Sequence, residues 1–320
     1  MRLQRVFTTT LLLAFLALTL YYAGPKASGE EAPRFRVRIS STAPLTFQTV
    51  SNISIVYQSL IGWKPLEGVL LAKGRNWSIN WEKSTGRIIL SSDGGDQIAS
   101  AQPLRLTPDS SDQIFHVGNH DYSGIIEAFP TKRGIAIYNI VDIESYVAGV
   151  LAGESIPGWN LEALKAQAVA SRTFALRQGN RHKTYDFCDG THCQRYVGRT
   201  QDPNFLEAVK ETQGEVLTYG NKLIWAFYHS NSGGQTENNE DIWGGESLPY
   251  LRSVEGYDQS ATKSTWSQAF TLSVADLLKK LGMAPSELKM IRPVLFSQSM
   301  LQLRPLAKRT PSRGFQPISD

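Results

Sequence analysis

At 320 residues the chain is long enough to bury a full core as one or two domains. Its 41% hydrophobic and 19% charged content excludes a disordered chain. The net charge of +4 is scattered without a Lys/Arg block, which excludes the basic stripe that nucleic-acid binding needs. The 2 cysteines lie in one short segment, whereas a disulfide-rich secreted scaffold has more and spreads them.

Arg2 and Arg5 precede an almost wholly apolar run from Val6 to Gly24. About 19 such residues can cross a bilayer, so residues 1–24 are expected to be a membrane anchor or a signal sequence. Tyr21 stands two residues before Ala23, and Pro25 two before Ala27, so no small-x-small cleavage pattern follows. An uncleaved anchor is therefore favoured over secretion. The arginines place the N-terminus in the cytoplasm and the body outside it. Residues 25–33 form a polar tether.

Residues 34–119 carry short runs of β type. Phe35-Arg36-Val37-Arg38-Ile39, Ile53-Ser54-Ile55-Val56-Tyr57 and Trp77-Ser78-Ile79-Asn80-Trp81 alternate as half-buried strands do. Lys83-Ser84-Thr85-Gly86 and Asp93-Gly94-Gly95 mark turns. Tryptophans in such strands belong more often to the core than to a sugar-stacking face. Tyr122–Phe129 and Gly134–Ile140 are expected to pair as a hairpin about Thr131-Lys132-Arg133-Gly134.

Asp142 suits a helix N-cap, and Ile143, Val147, Val150 and Leu151 recur at helical spacing. Gly153 and Glu154 end that pattern, and Pro157 forbids its continuation. The C-terminal end of a helix favours the protonated form of a carboxyl placed there, and a general acid needs that form. Glu154 is thus a candidate acid/base, set against an ordinary solvated Glu. Asn160 caps a second, Ala-rich helix from Leu161 to about Arg177, on which Arg172 is a candidate cleft-facing group.

His182, Cys188, His192 and Cys193 come next, with Asp189-Gly190 able to turn them inward. Two thiolates and two imidazoles suit tetrahedral Zn²⁺. Four protein ligands leave no open position, so such a metal would be structural. A Cys188–Cys193 disulfide and a nucleophilic Cys193 working with His229 are the rival readings. Asp202-Pro203 opens a further helix. Glu215–Tyr219 and Lys222–Tyr228 are expected to form a hairpin about Gly220-Asn221. The second strand runs into a polar loop, His229 to Glu237, whose Ser230, Ser232, Gln235 and Thr236 are candidate ligand contacts. Trp243 and Tyr250 are candidate sugar-stacking faces. Leu272–Leu281 is a last amphipathic helix, and Ser297–Asp320 has no clear period, its end being expected to be loose.

The run Tyr146-Val147-Ala148-Gly149-Val150-Leu151-Ala152-Gly153-Glu154 resembles the stage II sporulation protein D and amidase-enhancer family. So do Glu162 to Thr173, Thr191-His192-Cys193-Gln194-Arg195-Tyr196, His229 to Thr236, and Pro249-Tyr250-Leu251. The resemblance covers about residues 120–270. It implies a bacterial envelope protein that cleaves peptidoglycan glycan strands, stripped of stem peptides, as a lytic transglycosylase. It places the catalytic role on Glu154 and the ligands of one structural zinc on His182, Cys188, His192 and Cys193. Substrate contacts are expected from Arg172, Ser230, Ser232, Gln235, Thr236, Trp243 and Tyr250. The expected partners are glycan strands, a cell-wall amidase, and the membrane through the N-terminal segment. The family's closing His/Gly-rich block has no counterpart, so residues 271–320 are expected to be a shortened C-terminal region. A non-catalytic glycan-binding protein that recruits or activates an amidase is the alternative. The expected fold is α+β, with a β-rich N-terminal part followed by a mixed helical and β catalytic core.

Overall fold

A computed structural model describes residues 32–39, 44–71, 73–132, 134–179, 181–230, 232, 234–256, 273–282, 284, 291–297 and 300–305. The apolar N-terminal run and most of the tether lie outside these residues. Among the described residues no helix is long and apolar enough to cross a membrane.

The chain divides into two compact units. The first holds residues 1–172 and 178–214, and the second 173–177 and 215–320. The division does not fall between the β-rich part and the helical core at 119/120. The reason is strand pairing. β1 (Arg34–Ile39) pairs with β12 (Gly134–Asp142) along its whole length, from Arg34↔Asp142 to Ile39↔Ile137. It also pairs in parallel with β13 (Phe187–Cys188). The first strand is therefore completed by segments more than a hundred residues away.

Unit 1 has two sheets, antiparallel throughout except for the β1–β13 pair. One adds β11 (Ile125–Thr131), β8 (Leu104–Pro108), β3 (Ile53–Ser59) and β4 (Gly62–Leu71), in the order β13-β1-β12-β11-β8-β3-β4. The other is built from β2 (Leu45–Gln48), β5 (Asn76–Glu82), β6 (Arg87–Ser92), β7 (Gln97–Ser100), β9 (Phe115–Val117) and β10 (His120–Tyr122), in the order β10-β9-β2-β5-β6-β7. Strands β5 and β6 meet β12 and β11 across the core. Alternation decides which face is buried. Phe35, Val37 and Ile39 point inward, as do Leu45, Phe47, Ile53, Ile55, Ile79, Ile88 and Leu90. Trp77 is buried and Trp81 half-buried, which supports the core reading of the strand tryptophans.

The hairpin expected from Tyr122 begins later, at Ile125, because Gly124 takes a φ of 85° and Tyr122 belongs to β10. On the outer face of the larger sheet, Glu127 is buried between two guanidinium groups. Arg36 Nε lies 2.7 Å from one carboxylate oxygen, and Arg105 Nε lies 2.8 Å from the other.

Three helices follow β12, and the second of them lends residues 173–177 to unit 2. Helix α1 (Ile143–Glu154) starts at Asp142, whose side chain accepts from the amides of Glu144 and Ser145 at 3.1 and 3.0 Å. Helix α2 (Leu161–Gln178) starts at Asn160, which accepts from Glu162 N–H at 2.9 Å. Helix α3 (Pro203–Glu211) has Asp202 as its cap and Pro203 at its first position.

Unit 2 contains a two-stranded ribbon, β14 (Thr218–Tyr219) and β15 (Lys222–Leu223), turning through Asn221 at φ 62°. It also holds α4 (Asn239–Trp243) and α5 (Val274–Leu281), the latter capped by Ser273 and closed by Gly282 in the left-handed region. The end of the chain, expected to be loose, lies outside the described residues, but before it a strand pair forms. β17 (Met300–Pro305) pairs with β16 (Ile291–Ser297). Leu301 and Leu303 alternate with Gln302 and Arg304 there, a short period that the polar flanks conceal in the sequence.

One ion pair gives unit 2 a pH signature. Arg252 bonds Glu240 Oε1 at 2.7 Å and Asn239 Oδ1 at 2.7 Å, and this holds the Glu240 carboxyl down at about 2. A depressed carboxyl adds stability above its ordinary value of 4.5 and loses it as pH falls towards 2. Glu240→Gln is expected to flatten that part of the acid-unfolding curve, followed by fluorescence of the unit 2 tryptophans.

Candidate active site and metal centre

Glu154 is the last residue of α1 and is half-buried. Ser155 leaves the helix with extended geometry, and Ile156, at 62% exposure, and Trp159, at 38%, follow at the surface. The backbone N–H of Arg195 donates to Glu154 Oε1 at 2.6 Å. Among the described residues no cation forms an ion pair with Glu154. The carboxyl is therefore oriented by a neutral donor.

The approach of Arg195 depends on two glycines one turn apart on α1. A Cβ at Gly153 would lie 2.1 Å from the Arg195 carbonyl oxygen. One at Gly149 would lie 2.3 Å from the Gly198 carbonyl oxygen and 2.5 Å from the Tyr196 ring. Both positions admit the 195–198 segment only without a side chain. Gly153→Ala is expected to cost about 1–3 kcal/mol by overpacking, read as a lower urea midpoint at unchanged slope.

His182, Cys188, His192 and Cys193 come together, with their ligand atoms all within 4.8 Å of one another. The two sulfurs are 3.3 Å apart, and both cysteines are free thiols. His182 Nε2 is 3.3 Å from Cys193 Sγ, and His192 Nδ1 is 3.6 and 3.7 Å from the two sulfurs. A tetrahedral zinc with bonds of about 2.0–2.3 Å sets its ligand atoms about 3.3–3.8 Å apart. The donor set suits that ion, and the four separations just given lie in that range.

The sheet edge fixes this cluster. Cys188 is in register with Arg38 in the β1–β13 pair, and the Asp189 amide donates to the Arg38 carbonyl at 3.2 Å. Cys193 N–H donates to Gly190 at 3.0 Å, closing the turn that sequence spacing anticipates. His182 stacks on Tyr185 with centroids 4.2 Å apart. Burial, together with the charges of His192, Arg181 and Arg38, holds His182 below its ordinary range. Burial pushes the Cys193 thiol up to about 12, so an uncoordinated Cys193 is a poor nucleophile at neutral pH.

Arg172 requires a correction. It is 1% exposed, and its guanidinium grips Glu144, with Nη2 2.6 Å from Oε2 and Nε 3.1 Å from Oε1. A buried guanidinium must be paired, and here the pair ties α2 to the first turn of α1. Arg172 is an internal strut rather than a cleft-lining contact. Two other carboxylates of unit 1 are similarly occupied. Asp186 accepts from the Arg36 amide at 2.7 Å, and the exposed Glu162 pairs with Lys165 at 2.7 Å.

Unit 2 carries the remaining predicted contacts. Gln235 donates to Ser253 Oγ at 2.8 Å, and Thr236 Oγ1 accepts from Val254 N–H at 2.9 Å. Ser232 Oγ accepts from Gly234 N–H at 3.3 Å. Ser232 thus braces its own loop and Gln235 and Thr236 tie that loop to residues 253–254, whereas Ser230 is exposed. Trp243 is 47% exposed and its ring lies 4.6 Å from Phe227, which stacks on Trp225 at 5.9 Å and 6°. Arg177 lies 4.4 Å above Trp225. Tyr250 is half-buried, 5.6 Å from Tyr219. Trp225 and Phe227 extend the aromatic face beyond the two residues predicted. Their alternation with Ala226, which is buried, was the available signal. Among the described residues one Glu237 carboxylate oxygen is buried without a partner, and burial, then Asp241, raises the pKa of the group.

Unit 1 is thus an α+β module that displays one anchored carboxyl at a helix end and one compact Cys₂His₂ cluster. Residues 131–219 match the family model described as Stage II sporulation protein, SpoIID. Stage II sporulation protein D of Bacillus amyloliquefaciens is 36% identical over 161 residues, which is 44% of this chain and 46% of that protein. The amidase enhancer of Bacillus subtilis is 41% identical over 103 residues, 32% of this chain and 14% of that protein. An uncharacterised protein of Brachyspira hyodysenteriae is 33% identical over 162 residues, 49% of this chain and 44% of that protein. The chain spans less than half the length of these relatives. Together the matches support the Stage II sporulation protein D family for the segment that holds Glu154 and the Cys/His cluster.

Proposed function

We propose that this chain is a lytic transglycosylase of the bacterial cell envelope, acting on peptidoglycan glycan strands that lack stem peptides. The observation that carries the reading is the placement of Glu154. It is half-buried at a helix terminus, held by an amide rather than by a cation, and lies in the segment matched by the family model. A positioned carboxyl of this kind can serve as a general acid/base. Protonated Glu154 donates to the bridging glycosidic oxygen as the bond to the muramic acid anomeric carbon lengthens. The carboxylate so formed then takes the proton of the C6 hydroxyl, whose oxygen closes on the anomeric carbon. One glycosidic bond breaks, one internal ether forms, and no water enters. A single carboxyl serves both steps, so the occupied Asp186 and Glu162 are no obstacle.

His182, Cys188, His192 and Cys193 would hold one Zn²⁺, which supplies a cross-link and no chemistry, because four protein donors leave it no open position. Ser230 and the Trp243 face would contact sugar, with Gln235, Thr236 and Ser232 shaping the loop and Tyr250 beside it. The apolar N-terminal run would tether the body outside the cytoplasm.

A second reading has its own support in the relative named amidase enhancer: a glycan-binding protein that assists a cell-wall amidase without cutting glycan. Incubation with peptide-free glycan strands separates the two. Anhydro-muramyl ends, found by mass spectrometry, support the first reading. Cosedimentation without such ends supports the second.

A further inference from the structure

A carboxyl at a helix end keeps its side-chain freedom unless something outside the helix holds it. For Glu154 the holder is one backbone group, the Arg195 N–H. That amide is fixed from both sides by buried residues. Before it stands Gln194, 1% exposed, whose carboxamide bridges two helices. It accepts from the Tyr146 hydroxyl of α1 at 3.3 Å and donates to the Ser171 carbonyl of α2 at 3.4 Å. After it stands Tyr196, 3% exposed, whose hydroxyl donates to Asn139 of β12 at 2.8 Å. Asn139 donates in turn to the Ser123 carbonyl at 2.7 Å. The Tyr196 ring also stacks on Tyr146 at 5.2 Å. Burying a carboxamide is costly unless its bonds are met, and here they are met by the two helices that bracket Glu154.

The geometry points to Gln194 as a positioning residue: its buried carboxamide sets the Arg195 amide, and that amide sets the Glu154 carboxyl. The consequence for turnover rests on the acid/base reading of Glu154. The positioning itself does not, and it has its own measurement. An amide that touches a carboxyl reports the carboxyl's ionisation in its own chemical shift. Gln194 makes no contact with substrate in this account; it acts through Arg195.

The test uses the full chain and two variants. Gln194→Met keeps the volume and removes both bonds, while Tyr146→Phe removes one hydroxyl. In the unaltered protein the Arg195 amide resonance should follow one carboxyl titration, and that step should vanish in Glu154→Gln. In Gln194→Met its amplitude should fall to less than about half. On peptide-free glycan, kcat should fall about tenfold or more with KM within about twofold, the pattern of a group that acts in the transition state. The double variant should lose no more than Gln194→Met alone, because both changes break one path. A full-amplitude step in Gln194→Met overturns the inference, as does an unaltered kcat where the parent protein is active. If the parent protein yields no anhydro ends, the proposed activity fails and the amide titration alone decides the positioning. If Gln194→Met does not fold, Tyr146→Phe carries the same two readouts. A full-amplitude step in it then overturns the inference.

Discussion

Glu154→Gln is expected to lower the rate of anhydro-muramyl product formation by about 10²–10⁴-fold, the usual contribution of a positioned acid/base group. The substitution is nearly isosteric. The new amide oxygen can still accept from the Arg195 N–H, so the side chain stays where it is. It can no longer give or take the proton. Glycan affinity should therefore change little, and so should the unfolding midpoint, since the position is half-buried and makes no ion pair among the described residues. That combination separates chemistry from folding. Product formation by Glu154→Gln at the unaltered rate would sink the single-carboxyl mechanism. A protein that binds glycan equally well with and without the carboxyl, and yields no product in either form, is the amidase-assisting module instead. Glu154→Asp adds a check on geometry. It keeps the acid but withdraws it by one methylene from the Arg195 amide, so it should also be impaired, by less than the Gln variant.

Local chemistry carried much of this architecture openly. The Asp142 and Asn160 caps, the stop before Pro157, and the alternation in β1, β3 and β5 lie in short stretches of sequence, and the structure has them there. The Cys/His cluster was legible for the same reason, since four soft or borderline ligands within a dozen residues need only one turn to converge. What stayed hidden is long-range or carried by backbone. Nothing near Arg34 announces that its strand pairs with both Asp142 and the Cys188 segment. Arg36, Arg105 and Glu127 come from three strands to make one buried ion triad. Arg172 has a polar residue's appearance on a helix, and only the fold shows it turned inward onto Glu144. The Arg195 contact to Glu154 is a main-chain amide, which no side-chain pattern can encode. Its one trace in the sequence is the Gly149-x-x-x-Gly153 spacing, which marks a helix face made for close approach.

Removing metal from the Cys/His cluster is expected to lower the stability of unit 1 by about 4 kcal/mol, the linkage value for an ion held at a thousand times its dissociation constant. For a unit of this size the midpoint should fall by roughly 10 °C. The cluster gathers four side chains of the loop running from Arg181 to Cys193 at the edge where β13 pairs with β1. Metal analysis should find about one zinc per chain, and both thiols should resist alkylation until a chelator is added. Cys188→Ser and His182→Ala should each reproduce much of the chelator effect, because loss of one donor weakens the whole set. A disulfide predicts the opposite pattern: no zinc, indifference to chelator, and sensitivity to reductant. Chelation should also reach the chemistry without touching it. Cys193 is followed at once by buried Gln194 and then by the amide that holds Glu154. A chain end released at Cys193 loosens that segment from one side while Tyr196 still holds the other. Turnover should therefore fall before unit 1 unfolds, and it should return with added Zn²⁺. Loss of turnover only in step with global unfolding would confine the metal to stability alone.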